Sequence, residues 1–112
     1  MNILLIDDNL DLLKTVKEMI PAEHNVTLAT DALQGSELFN KGDFDLVVTD
    51  IDMPGTGGGL RLVSEAASRD KTVVVYTGSI AKPKEYYKSI GAKRVFFKAI
   101  DDDELVKFLS SL

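Results

Sequence analysis

Cysteine is absent from the 112-residue sequence, histidine occurs once and proline three times. Without cysteine there is no disulfide, no thiolate zinc site and no cysteine nucleophile, and the composition agrees with a reducing compartment. The single histidine, His24, follows Pro21 in a polar turn with no partner in sequence reach. It reads as a surface residue, not a phosphodonor. Basic residues are outnumbered by acidic ones, 13 to 18, for a net charge of -5. Nucleic-acid binding is not expected, because it needs Lys and Arg clustered against phosphates. No run approaches the roughly 18 apolar residues of a membrane helix. The apolar start Ile3-Leu4-Leu5-Ile6 meets Asp7 and Asp8 too soon for the core of a signal peptide. A soluble cytoplasmic protein with no membrane insertion is the expectation.

What is present is an ordinary globular balance, 45% apolar and 28% charged. Residues 1–112 read as one domain, long enough to bury a core, without internal repeat, low-complexity tract or linker. Five short apolar segments predict strands at Ile3–Ile6, Val26–Ala29, Leu46–Thr49, Thr72–Tyr76 and Val95–Phe97. The continuous runs Ile3-Leu4-Leu5-Ile6 and Val73-Val74-Val75 are those of parallel strands covered on both faces. Val26-Thr27-Leu28 alternates instead, which suits an edge.

Helices fill the intervals. Leu10, Leu13, Val16 and Ile20 predict one apolar face over about 9–20, stopped by Pro21. A second, over 31–40, carries Leu33 with Leu38 and Phe39 and breaks at Gly42; a third, over 59–69, buries Leu60, Leu62 and Val63. Pro83 occupies a favoured first-turn position of a fourth helix that ends at Gly91. The last opens on Asp101, Asp102, Asp103 and Glu104, where negative charge suits the helix N-terminus, and its stripe is Leu105, Phe108, Leu109 and Leu112. The pattern is (βα)5, an α/β doubly wound five-stranded parallel sheet. Its crossovers are right-handed and its ligands collect beyond the carboxyl ends of the strands.

Just past those ends stand Asp7 and Asp8 after the first strand, Asp50 after the third, Thr77 after the fourth and Lys98 after the fifth. Carboxylates placed together repel, by about 4 kcal/mol at 4 Å and an effective dielectric near 20. A hard divalent cation relieves such a cluster, and Mg2+ takes oxygen ligands from a few carboxylates, water and phosphate. A carboxylate is also a nucleophile able to form an acyl phosphate, and Asp50, apart from the adjacent pair, is the candidate. Thr77 supplies a hydroxyl and Lys98 an ammonium for phosphoryl oxygens. Taken singly, each residue has a plainer reading: Asp50 a turn residue, Asp7-Asp8-Asn9 a helix cap, Thr77-Gly78 a turn, Lys98 a solvated charge. Together they form a complete set for phosphoryl transfer.

The segments LLIDDN at 4–9, VVTDIDMPG at 47–55, VVVYTGS at 73–79 and GAKRVFFKA at 91–99 resemble the receiver domain of two-component response regulators over nearly the whole chain, in the manner of stand-alone chemotaxis receivers. The resemblance implies a flavodoxin-like fold with strand order 2-1-3-4-5. It implies phosphorylation of Asp50 by a histidine kinase or histidine phosphotransfer protein. It implies Mg2+ (or Mn2+) held by Asp8, Asp50 and the backbone carbonyl of Asp52, with Asp7 assisting through water. It further implies that Thr77 and Lys98 contact the phosphoryl group. Such a protein is a switch, catalysing only its own phosphorylation and slow dephosphorylation, and signals to a downstream protein through its fourth helix, fifth strand and fifth helix.

The sequence also departs from that pattern. The family usually has proline after the lysine, joined by a cis bond; here it is Ala99. A cis bond to a non-proline residue costs roughly 2.5–4 kcal/mol, so the Lys98–Ala99 bond is expected to be trans or strained. Val95 stands where an aromatic is common, with Phe96 and Phe97 reading as core, and Gly57 replaces a frequent Asp before Gly58. Gly55-Thr56-Gly57-Gly58-Gly59 lacks the Gly-Lys-Ser/Thr ending of a P-loop and reads as a mobile loop beside the acceptor. Two rivals remain. A degenerate receiver acting as a docking module would lack the acceptor, a metal acid or the lysine, and all are present. VVTDIDMP also resembles the nucleophile motif of haloacid-dehalogenase-type phosphatases, but those enzymes carry it near the chain start, before their acidic pair, and need a larger core.

Overall fold

In the computed structural model, which describes residues 1–53 and 58–112, five parallel strands lie in the order β2-β1-β3-β4-β5. They are β1 (Asn2–Ile6), β2 (Asn25–Ala29), β3 (Leu46–Thr49), β4 (Thr72–Thr77) and β5 (Arg94–Phe97). The helices between and after them are α1 (Leu10–Met19), α2 (Ala32–Lys41), α3 (Gly58–Ser68), α4 (Lys84–Ile90) and α5 (Asp102–Ser110). The chain steps from β1 outward to β2, then back across β1 to β3, so the winding reverses between β1 and β3. A crevice opens at such a point, beyond the strand ends.

Side chains alternate along each strand, which is why the central ones are apolar throughout. Leu4, Ile6, Val47, Val73 and Val75 pack with Phe39, Leu62 and Val63 on one face. Ile3, Leu5, Val48, Val74 and Phe96 pack with Leu13, Val16, Leu105 and Leu109 on the other. Each such side chain contributes roughly 1.5–3 kcal/mol on full burial. Val26, Thr27 and Leu28 of β2 are half-buried, as expected of an edge.

Element ends move by a residue or two from the sequence expectation, and two helical faces are corrected. Leu10 is 44% exposed and Leu33 71% exposed. Leu10 opens α1, whose buried positions are Leu13 and Val16. α2 instead buries Gly35 and Phe39, and Leu33 lies two residues from Gly35, about 200° around the helix. A Cβ at Gly35 would come within 2.7 Å of Ile6 Cδ1, so this face of α2 lies close against β1. Pro83 precedes α4 at its N-cap, one position before the expected first turn. His24 is half-buried rather than a plain surface residue: its Nδ1 lies 2.9 Å from the Met1 amino group, and its Nε2 is buried without a partner among the described residues.

The start of α3 bears on the site. A Cβ on Gly59 would overlap the backbone carbonyl oxygen of Asp50. Gly59→Ala should therefore destabilise the protein by roughly 1–3 kcal/mol, although alanine is favoured over glycine within a helix. Urea denaturation measures this, and a variant as stable as the parent contradicts the close approach.

Candidate functional site

The register between β1 and β3 pairs Ile6 with Thr49, so the next residues, Asp7 and Asp50, leave the sheet side by side. The Asp50 N–H donates to Ile6 O at 2.9 Å and the Asp7 N–H to Ala29 O at 3.1 Å, which extends the ladder to the rim. Carboxylate oxygens of Asp7, Asp8 and Asp50 all lie within 4.8 Å of one another. Asp7 and Asp50 are buried and Asp8 faces solvent.

Asp50 is held at both oxygens. Its Oδ1 accepts the N–H groups of Ile51 at 2.7 Å and Asp52 at 3.1 Å. Its Oδ2 accepts from Lys98 Nζ at 2.8 Å, and the same ammonium donates to Asp7 Oδ2 at 2.7 Å. Asp7 Oδ1 accepts the Asn9 N–H at 2.9 Å, while Asn9 caps α1 by accepting the Leu12 N–H at 3.1 Å. The helix-cap reading thus holds for Asn9 alone. Burial pushes the Asp7 carboxyl above its ordinary value, against the pull of Lys98. Burial alone would lower Lys98, but its bonds to Asp50 and Asp7 outweigh that and hold it above the usual lysine range.

Lys98 reaches this position through an unusual turn. The Lys98–Ala99 bond is trans, the first of the two expected alternatives, and the strain appears instead at Ala99, whose φ of 68° is in the left-handed region. Thr77 closes β4, buried, with its hydroxyl oxygen accepting the Ser79 N–H at 3.2 Å. Its carbonyl accepts the Lys98 N–H at 2.8 Å, so Thr77 and Lys98 share the rim. The Thr77 hydroxyl makes no hydrogen bond to Asp50. Val95 and Phe96 are buried and Phe97 is partly so, packed against the opposite core face from Phe96. The loop reading at Gly55-Thr56-Gly57 and the exchange at Gly57 lie outside the described residues; Gly58 and Gly59 begin α3.

Sequence reasoning missed Tyr76. It is buried, donates its hydroxyl to Asp102 Oδ1 at 2.7 Å and carries its ring 5.6 Å from Lys98 Nζ. The available signal was a tyrosine interrupting the valines of β4.

Three carboxylates meet one ammonium, so the cluster keeps an excess of negative charge. All its donors are oxygen, and no hydrogen bond engages the Asp8 carboxylate among the described residues. That donor set fits a hard divalent ion such as Mg2+.

Comparison with known proteins identifies the family and the fold. The model of the response regulator receiver domain family matches residues 3–110, and the chain belongs to that family. It is 30% identical over 110 residues to the two-component response regulator ARR12 of Arabidopsis thaliana, covering 94% of this chain and 18% of that protein. It is 29% identical over 117 residues to the probable transcriptional regulator ycf29 of Porphyra purpurea, covering 99% of this chain and 56% of that one. The chain thus spans only part of the curated relatives it matches. A CheY-like receiver domain protein from Methanospirillum hungatei superposes with a TM-score of 0.83 at 22% identity, covering 98% of this chain and 90% of that one. The response regulator TrrA of Thermotoga maritima, solved with Mg2+ and BeF, gives 0.82 at 25% identity, covering 98% and 96%. The expected fold and strand order are those observed.

The Asp7 shift has a measurable sign. A folded state that disfavours ionised Asp7 gains stability from the protonated form below the ordinary value of 3.8, and loses it as pH rises through the raised value. In metal-free protein, Asp7→Asn should therefore gain stability relative to the parent as pH rises above about 4. Urea midpoints over that rise check this; a parent that gains on the variant would show that attraction to Lys98 outweighs burial.

Proposed function

We propose that this receiver domain takes a phosphoryl group on Asp50 from a phosphohistidine of a histidine kinase or histidine phosphotransfer protein. The observation that carries the reading is the Asp50 carboxylate, buried at the rim and held between two backbone N–H donors and the Lys98 ammonium. Its orientation is set before the donor arrives, so little ordering is left to the reaction.

In the transfer, an Asp50 carboxylate oxygen attacks phosphorus. A P–O bond forms and the P–N bond breaks. The electron pair of that bond stays with the imidazole, which leaves with a proton from water. Asp50 becomes an acyl phosphate. Lys98 then turns from the carboxylates to the phosphoryl oxygens, a short move for an ammonium already bonded to Asp50 Oδ2. Thr77 offers its hydroxyl from the adjoining strand end. Asp8 and Asp50, with Asp7 through water and the Asp52 carbonyl, would hold Mg2+ (or Mn2+), which when bound offsets charge on the phosphoryl group. TrrA, a similar protein, has been solved with that metal and BeF.

The acyl phosphate carries about two negative charges in place of the carboxylate's one, which adds to the excess where one ammonium faces three acids. That excess biases the nearby loops and, through them, a surface of α4, β5 and α5 that meets a downstream protein. Among the described residues, no helix is long and apolar enough to cross a membrane. Incubation with acetyl phosphate and Mg2+, followed by intact mass, tests the acceptor. The parent should gain one phosphoryl group; Asp50→Ala, or chelation of the metal, should abolish the gain. A gain that survives in Asp50→Ala places the acceptor elsewhere.

A further inference from the structure

Tyr76 has no part in the reading above, yet it touches both ends of the Lys98 tether. Its ring packs with the core layer under α1 and α5, and its hydroxyl reaches Asp102 Oδ1 at 2.7 Å. That oxygen also accepts the Ala99 N–H at 2.9 Å. Asp102 is the first residue of α5, so its carboxylate turns back over the loop that follows β5. The adjacent Asp101 holds the other side, its Oδ2 accepting the Phe97 N–H at 2.8 Å and pairing with Lys84 at 2.9 Å.

Ala99 needs such a clasp. Its φ of 68° is one that an alanine adopts only when its surroundings impose it. Ala99 is joined directly to Lys98, so a strained turn there lies next to the residue that carries the ammonium. At the far end, the Lys98 ammonium stands 5.6 Å from the Tyr76 ring centroid, within range of attraction to the ring face.

We propose that Tyr76 is a positioning residue for Lys98: its hydroxyl fixes Asp102, Asp102 holds Ala99 in the left-handed turn, and its ring supports the ammonium. Strand β4 thereby aims a lysine that β5 carries. The inference rests on Lys98 contacting the phosphoryl group.

The test separates metal binding, which the carboxylates govern, from binding of a phosphoryl mimic, which the lysine governs. Mg2+ affinity is measured by calorimetry, and beryllium fluoride affinity in saturating Mg2+ by amide NMR shifts, on the full chain. Tyr76→Phe, which keeps the ring and removes the hydroxyl, should weaken beryllium fluoride about fivefold while Mg2+ affinity stays within about twofold. Asp102→Ala should do the same from the surface, so the proposal remains testable should Tyr76→Phe fold poorly. Asp102→Asn keeps an acceptor oxygen and should retain beryllium fluoride affinity within about twofold. Unchanged beryllium fluoride affinity in Tyr76→Phe and Asp102→Ala overturns the proposal, as does an equal loss of both affinities, which marks general loosening. Lys98→Met isolates the underlying reading. If it leaves beryllium fluoride affinity intact, the lysine's contact with the phosphoryl group fails; if it weakens binding and the clasp variants do not, only the positioning role fails.

Discussion

One ammonium between two buried carboxylates sets the terms for the rest of the molecule. Lys98 Nζ lies 2.7 Å from Asp7 Oδ2 and 2.8 Å from Asp50 Oδ2, at a place where both acids are nearly out of water. Like charges at such spacing repel by several kcal/mol at a moderate dielectric, and burial adds a desolvation penalty. Without the lysine, closing β1 against β3 would oppose two anions with nothing between them. The rim is therefore tense by design, short of positive charge, and ready to take more.

The scaffold supplies what that arrangement needs. Parallel strands bring residues 7, 50 and 98 to one edge, and the reversal of winding between β1 and β3 keeps helices from covering it. Gly59 lets α3 start against the Asp50 carbonyl, so Asp50 is held from behind as well as by the N–H groups in front. Asn9 caps α1 while its own N–H steadies Asp7. Each local choice serves both the fold and the carboxylates, the agreement between levels that marks a well-specified sequence.

Much of this was legible in the residues. Continuous apolar runs gave the parallel strands because both faces of β1, β3 and β4 are covered, and polar residues directly after those runs located the rim. Resemblance added the strand order, which periodicity does not carry. Helical faces were less legible: Leu10 and Leu33 fit an apolar spacing, but which stripe of a helix meets the sheet depends on close contacts such as Gly35 on Ile6, invisible in a one-dimensional pattern. Ala99 announced a departure from the usual proline without saying where the strain would go. Tyr76 was hidden by its setting, since a tyrosine in a buried strand reads as core until its hydroxyl partner, 26 positions away, is known. His24 was misread for a related reason, its neighbour Met1 lying 23 positions off.

The bond from Lys98 to Asp7 joins positions 91 apart. Contacts so distant in sequence form late, after the loops between them have closed. A chain that has completed β1 and β3 but not yet laid down β5 exposes its acidic pair without the cation that reconciles it. The ion pair at the rim therefore depends on the last strand of the sheet, so the charge balance of the first strand is tied to the integrity of the whole domain.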